Sequence, residues 1–377
     1  MKFFQKKRIF LDYASATPVL PEARKVMEKY VTDEFYNPSA IYAEGVLVRR
    51  ELGQCREKVA RHLHAGAKDI IFTSGGTESD NLAILGTFEK AAESVLVPHI
   101  IVSELEHPAI LEAAEEVKRR GGDYTIIRAD EEGIIRPDTI EKAITENTVL
   151  VSVSLAAGSI GVIQPVSKIG RMIREVRKKN SSSYPYFHTD ATAAANYASL
   201  NVDALNVDLL TLDGAKMYAP KGSGVLVVRP GVELSPQILG GGQERGLRAG
   251  TENIPSIAGF AVALDIVVRD REKESKRLLS LRNKLLESVR SIQGAFIIGS
   301  PENLLPNVIS VSFPGQISEF LAISLDQKGI CVSAGAACQS QNDSTDDLAL
   351  RFSLGRGTTL KDIEVTEKAL KEIVMRA

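Results

Sequence analysis

The chain has 377 residues, 44% of them hydrophobic and 25% charged, with a formal net charge of −2. This ordinary globular composition is long enough for a large core without covalent staples, and its charge balance makes no case for a nucleic-acid or membrane partner. No apolar run approaches the roughly 20 residues of a membrane helix. Charges interrupt the opening MKFFQKKRIFLDY too early for a signal-peptide core, and three cysteines (Cys55, Cys331, Cys338) are too few for a disulfide framework, so a cytoplasmic protein is expected.

In chain order, DIIFTS (69–74), HIIVSE (99–104), TVLVSVSLA (148–156), YFHTDA (186–191), LLTLDG (209–214) and GVLVVR (224–229) read as strands. Most are nearly continuous apolar runs, as strands covered on both faces must be. Helical patterns lie between them, as from Thr77 to Ala91 and from His107 to Arg120. That alternation predicts an α/β fold with a largely parallel sheet. After about Ser256 a long pattern (258–292) passes from apolar to highly charged, as a helix leaving one unit and opening another would. Short strands and two helices follow and read as a smaller α+β unit. The N-terminal strand joins one of the two units, and its sequence does not say which.

Five segments carry candidate chemistry. In IIFTSGGTESDNLAI (70–84) a strand runs through Gly75-Gly76-Thr77 into a helix, which is either an anion cradle or a plain turn capped by Thr77. Asp190 ends an apolar strand at the edge where α/β sheets bind ligands; it is there for a cationic partner, such as a protonated ring nitrogen, or as a helix cap. Lys216 follows one strand later, and a lysine with an aspartate is the pair that pyridoxal phosphate (PLP) requires. Lys221, in PKGSG, reads as a turn residue. In GGGQERGLRAGTENIPS (240–256) the glycines call for positive φ or close approach, and Arg245, Arg248 and Thr251 offer anion donors. Cys338 sits in a run of small and polar residues as a candidate nucleophile, whereas Cys55 and Cys331 read as packing or surface residues. Arg351 has the fork that suits a carboxylate.

Taken in order, TSGGTESDNLAI, FHTDAT, GGGQERGLRAGT, SAGAAC and RFSLGR resemble the NifS/IscS-type cysteine desulfurases of the PLP-dependent class-V aminotransferase group, from residue 10 to residue 359. The resemblance implies the fold-type-I architecture: a mostly parallel seven-stranded sheet in a large PLP-binding domain (15–256), plus a small α+β domain (1–14 and 257–377). It implies that Lys216 forms the Schiff base, that Asp190 pairs with the ring nitrogen and that His107 stacks on the ring and moves protons. Gly76 and Thr77 would bind the phosphate, with Thr251 reaching over from the second subunit of a homodimer. Arg351 would hold the carboxylate of L-cysteine, with Asn37 nearby. Cys338 would take the sulfur as a persulfide, leaving L-alanine, and pass it to an acceptor for iron–sulfur clusters or tRNA thiolation.

The departures lie in the cofactor shell. Ala157, Gly158 and Ser159 stand where the family shows Asn-Asn-Glu, and Ala193 stands for its glutamine. Its Ser-x-His-Lys appears as Asp213-Gly214-Ala215-Lys216, so two phosphate-contacting side chains are replaced, one by an acid. Two other readings therefore stay open: a degenerate homologue acting through protein contacts, and a related class-V lyase or aminotransferase for another amino acid.

Overall fold

The computed structural model describes residues 8–313, 315–335 and 349–374. A short strand β1 (Ile9–Phe10) and helices α1 (Pro21–Thr32) and α2 (Ala43–Leu63) precede the central sheet. Strands and helices then alternate: β2 (Ile70–Thr73), α3 (Gly76–Ala91), β3 (His99–Ser103), α4 (Pro108–Arg119), β4 (Asp123–Ile127), α5 (Pro137–Ala143), β5 (Thr148–Ser152), α6 (Val166–Asn180) and β6 (Tyr186–Asp190). Next come α7 (Val202–Leu205), β7 (Leu209–Asp213), β8 (Gly224–Val228) and α8 (Ile254–Arg290). The chain continues with β9 (Phe296–Ile297), β10 (Val308–Ser312), α9 (Ser318–Gln327), β11 (Ile330–Cys331), β12 (Ser333–Gly335), β13 (Ala349–Ser353) and α10 (Leu360–Val374).

The large sheet has seven strands in the order β2-β8-β7-β6-β5-β3-β4, parallel except for β8, which runs antiparallel to both neighbours. Successive residues point to opposite faces, because the side-chain period of a strand is two. Ile70 and Phe72 pack on one side, with α2, α6 and the start of α8; Ile71 packs on the other, with α3 and α4. Both faces are covered, which is why these strands read as continuous apolar runs. β4 is the edge strand absent from the expected set. Only Ile127 of its five residues is buried, so its sequence carries little apolar signal.

A four-stranded antiparallel sheet, β12-β13-β10-β9, and the parallel pair β1-β11 form a second layer around Leu11, Leu285, Ile309, Phe352 and Ile363. The run ICVSAG (330–335) holds two strands: β11 pairs with β1 and β12 with β13. The N-terminal strand thus joins the C-terminal part of the chain. α8 belongs to both cores, with Ile257 to Leu264 in the first and Leu278 to Val289 in the second. Asn253 caps it, its side chain accepting from the Ser256 N–H (3.2 Å). No helix among the described residues is long and apolar enough to cross a membrane.

Candidate active site

The loops that leave β2, β3, β5, β6 and β7 at their C-terminal ends emerge along one edge of the sheet, where open α/β sheets place ligands. Lys216 is held there by a pinned turn. The Asp213 carboxylate accepts from the Ala215 N–H (2.8 Å), the Ala215 carbonyl accepts from Thr17 N and Oγ1, and the Lys216 carbonyl accepts from Asn196 Nδ2 (2.7 Å). Four such bonds fix the backbone on both sides of the lysine and leave its side chain directed into a cavity of about 480 Å³. Asp190, His107 and Arg351 line the same cavity. Lys221 is exposed and lies outside it.

Asp190 is a local cap that also lines the cavity, with one carboxylate oxygen accepting from the Thr192 N–H (2.8 Å). His107 is likewise the N-cap of α4, its Nδ1 accepting from the Ala109 N–H (3.1 Å), which leaves Nε2 to carry the proton of the neutral ring. Burial, and then the charge of Lys216, lower the His107 pKa against the opposing pull of Asp190 and Asp213. Arg351 reaches the cavity from β13. It donates to the Gly158 carbonyl (3.0 Å) and to Asp12 (3.0 Å), while its buried Nε has no partner.

Three cavity-side residues were not picked out from the sequence. Glu106, directly before His107, accepts from Ser103 Oγ and from Ser154 N and Oγ; complete burial pushes its pKa up to about 7. Asp12 orients Arg351 across 339 positions of sequence. Thr192 is buried with an Oγ1 that has no hydrogen-bond partner. The only sequence signal for Glu106 and Thr192 was adjacency to His107 and Asp190. Beneath the sheet edge, burial and then the charge of Asp190 raise the Asp80 pKa well above its ordinary value. His188, between Ser152 and Thr211, is lowered by burial to about 4 and is neutral.

Gly76 and Thr77 begin α3 beside this cavity, and neither N–H has an acceptor. Asn37 and Thr251 are not with them: both are exposed within the one chain, and neither lines the cavity. Of the two arginines in the 240–256 loop, Arg248 is spent on an ion pair, while Arg245 stays exposed. Arg248 is paired with Glu78 (3.0 Å) and Arg245 donates to the Lys68 carbonyl (2.6 Å). The loop does take positive φ, at Gly246 and Gly250 and also at Glu244 and Arg245. Cys55 is half-buried in α2 with its thiol pKa raised by burial, and Cys331 is half-buried in β11. Cys338 lies outside the described residues.

The aminotransferase class-V family matches residues 9–365. The chain is 36% identical to the cysteine desulfurase IscS of Dictyoglomus turgidum, over 98% of this chain and 95% of the relative. It is 37% identical to the IscS of Methanosarcina thermophila, over 99% and 93% of the two chains. The solved structure of a NifS-like protein superposes with a TM-score of 0.92 at 32% identity, covering 98% of this chain and all of the other.

That family depends on PLP. At the ring end the residues fit: a lysine, a free aspartate oxygen and a histidine face one cavity of sufficient size. At the phosphate end the helix start and the orphaned Thr192 hydroxyl fit, but a carboxylate intrudes. A Cβ on Gly76 would stand 3.5 Å from Asp213 Oδ2 and 3.5 Å from Thr192 Oγ1.

Proposed function

Because the chain belongs to the class-V aminotransferase family, we propose that it is a cysteine desulfurase that converts L-cysteine to L-alanine and moves the sulfur to Cys338 as a persulfide. The observation that carries this reading is the convergence of Lys216, Asp190, His107 and Arg351 on one cavity from four separate parts of the fold. PLP, when bound, draws off the electron pair released at the substrate Cα. Lys216 Nζ would hold the cofactor and, once free of it, would take the proton from the substrate Cα. The Asp190 carboxylate would pair with the ring nitrogen, and the neutral His107 ring would stand beside the cofactor in the same cavity. Arg351, steadied by Asp12 and the Gly158 carbonyl, presents its remaining N–H groups to the substrate carboxylate. The Cys338 thiolate would attack the substrate sulfur, a sulfur–sulfur bond forming as the carbon–sulfur bond breaks; Cβ then takes up one proton and Cα recovers the proton taken by Lys216, giving alanine.

The working form in this reading is a homodimer, in which the exposed Thr251 completes the partner's site. The adjoining Phe35, Tyr36 and Tyr42 rings, with Ile41 95% exposed, supply apolar surface for it. The two cores support two units, with 1–14 in the smaller one, but move the boundary from 256 into α8, because Ile257 to Leu264 still pack in the first core. The persulfide then passes to an iron–sulfur scaffold or tRNA-thiolation protein in the cytoplasm.

The test is to add PLP and L-cysteine to the purified chain and measure alanine and persulfide. Both are expected in equal amounts in the first turnover. Lys216→Ala makes neither, and Cys338→Ser binds PLP but forms no persulfide. The Asp213 carboxylate favours one second reading, a homologue that has given up the cofactor and acts through protein contacts; a wild type that forms no Lys216 adduct with saturating PLP or with its unphosphorylated aldehyde decides for it.

A further inference from the structure

The cup at the start of α3 is not an ordinary anion site. The Gly76 and Thr77 N–H groups lack acceptors, and Thr192, 3% exposed, turns an unpartnered Oγ1 toward the same point. Into this group of donors comes Asp213. Its Oδ1 accepts from the Ala215 N–H, which leaves Oδ2 facing Gly76 without a hydrogen bond. The reach is built into the sheet. Gly224 lies between Asp213 on β7 and Thr73 on β2, and its bare Cα packs on the Gly75 backbone, so nothing separates the carboxylate from the helix start. The nearby Arg248 is already paired with Glu78 and does not neutralise it.

We propose that this cup is built for a neutral hydroxyl rather than a phosphate dianion, so that pyridoxal, the unphosphorylated aldehyde, binds Lys216 at least as well as PLP does. The proposal rests on the reading above, that Lys216 takes an aldehyde of this class. A hydroxyl donates to Asp213 Oδ2 and accepts from the N–H groups of α3. A phosphate monoester brings a charge of about −1.5 to −2 against the carboxylate and has no proton to offer it at neutral pH. In either case the Lys216 amine bonds the aldehyde carbon and the carbonyl oxygen leaves as water, so the reacting end is common to both ligands and only the 5′ arm differs.

The experiment titrates the full chain with pyridoxal and with PLP, reads adduct absorbance, and locates the borohydride-reduced adduct by mass spectrometry. Wild type is expected to bind pyridoxal as tightly as PLP or more tightly. Asp213→Asn, which keeps the oxygen that accepts from Ala215, is expected to tighten PLP by roughly 30-fold or more, as removal of a like charge requires, and to weaken pyridoxal by roughly 10-fold, because the hydroxyl loses its acceptor. A wild type that binds PLP about 10-fold more tightly than pyridoxal, with Asp213→Asn changing neither, overturns the proposal and leaves the desulfurase reading standing. No adduct at Lys216 with either aldehyde overturns both.

Discussion

Arg351→Lys isolates what the guanidinium does beyond carrying charge. Arg351 spends one nitrogen on the Gly158 carbonyl and another on Asp12, and it keeps a buried Nε with no partner beside the cavity. A lysine has three N–H groups; after the same two acceptors it has one left, where arginine has its Nε–H and the spare hydrogens of its fork. One charge-assisted hydrogen bond to the substrate carboxylate is therefore lost, worth about 1.5–3 kcal/mol. At about 1.4 kcal/mol per decade, KM for L-cysteine rises roughly 10- to 100-fold. The assay is alanine formation against L-cysteine concentration at saturating aldehyde cofactor, with the adduct spectrum as a control that the ring end is intact. Uniform loss of ground-state binding leaves kcat within a few-fold. A KM within threefold of wild type, with the adduct formed normally, refutes the assignment of Arg351 to the carboxylate.

Two further outcomes follow from buried groups. Glu106 stays protonated in the folded chain up to about pH 7 and ionises near 4.5 when unfolded, so the folded state holds the extra proton across that window. Stability at this site is greatest below pH 4.5 and falls as pH rises toward 7, by about 3 kcal/mol in all. Glu106→Gln removes the titration, so its melting temperature should gain on wild type between pH 5 and pH 8; a gap that does not change with pH refutes the argument. In Gly224→Ala the new Cβ would lie 2.6 Å from the Gly75 Cα and 2.7 Å from Thr73 Oγ1, so the backbone must part. A loss of about 1–3 kcal/mol in denaturant titrations is expected, together with weaker aldehyde binding at Lys216; an unchanged midpoint counts against the close approach.

Strand positions were legible where strands are covered on both faces. HIIVSE and LLTLDG carry nearly continuous apolar runs, Ile100 to Val102 and Leu209 to Leu212 broken only by Thr211, because β3 and β7 bury every residue but the last of β7. β4 was not legible, because an edge strand with one buried residue leaves no period to read. Lys216 and Asp190 could be picked out because they stand at or just past strand ends, and in a parallel sheet the strand ends meet at one edge whatever their separation in sequence, whereas His107 was named only through the family resemblance. The residues that work on them could not. Asp12, Glu106 and Thr192 are ordinary in type, and only packing reveals that one holds an arginine, one is fully buried and one has an orphaned hydroxyl.

By itself, then, the sequence determined the α/β class, the lysine–aspartate pair and the unusual Asp213, because these depend on local apolar pattern and on residue identity. It also fixed which chain segments could bear an anion or a thiol. Tertiary structure alone decided where the N-terminal strand pairs, which arginines are free and which are spent, and where Asp213 points. Those outcomes depend on neighbours far away in sequence: Ile330 beside Ile9, Glu78 against Arg248, and a bare Gly224 that lets a carboxylate reach the start of α3.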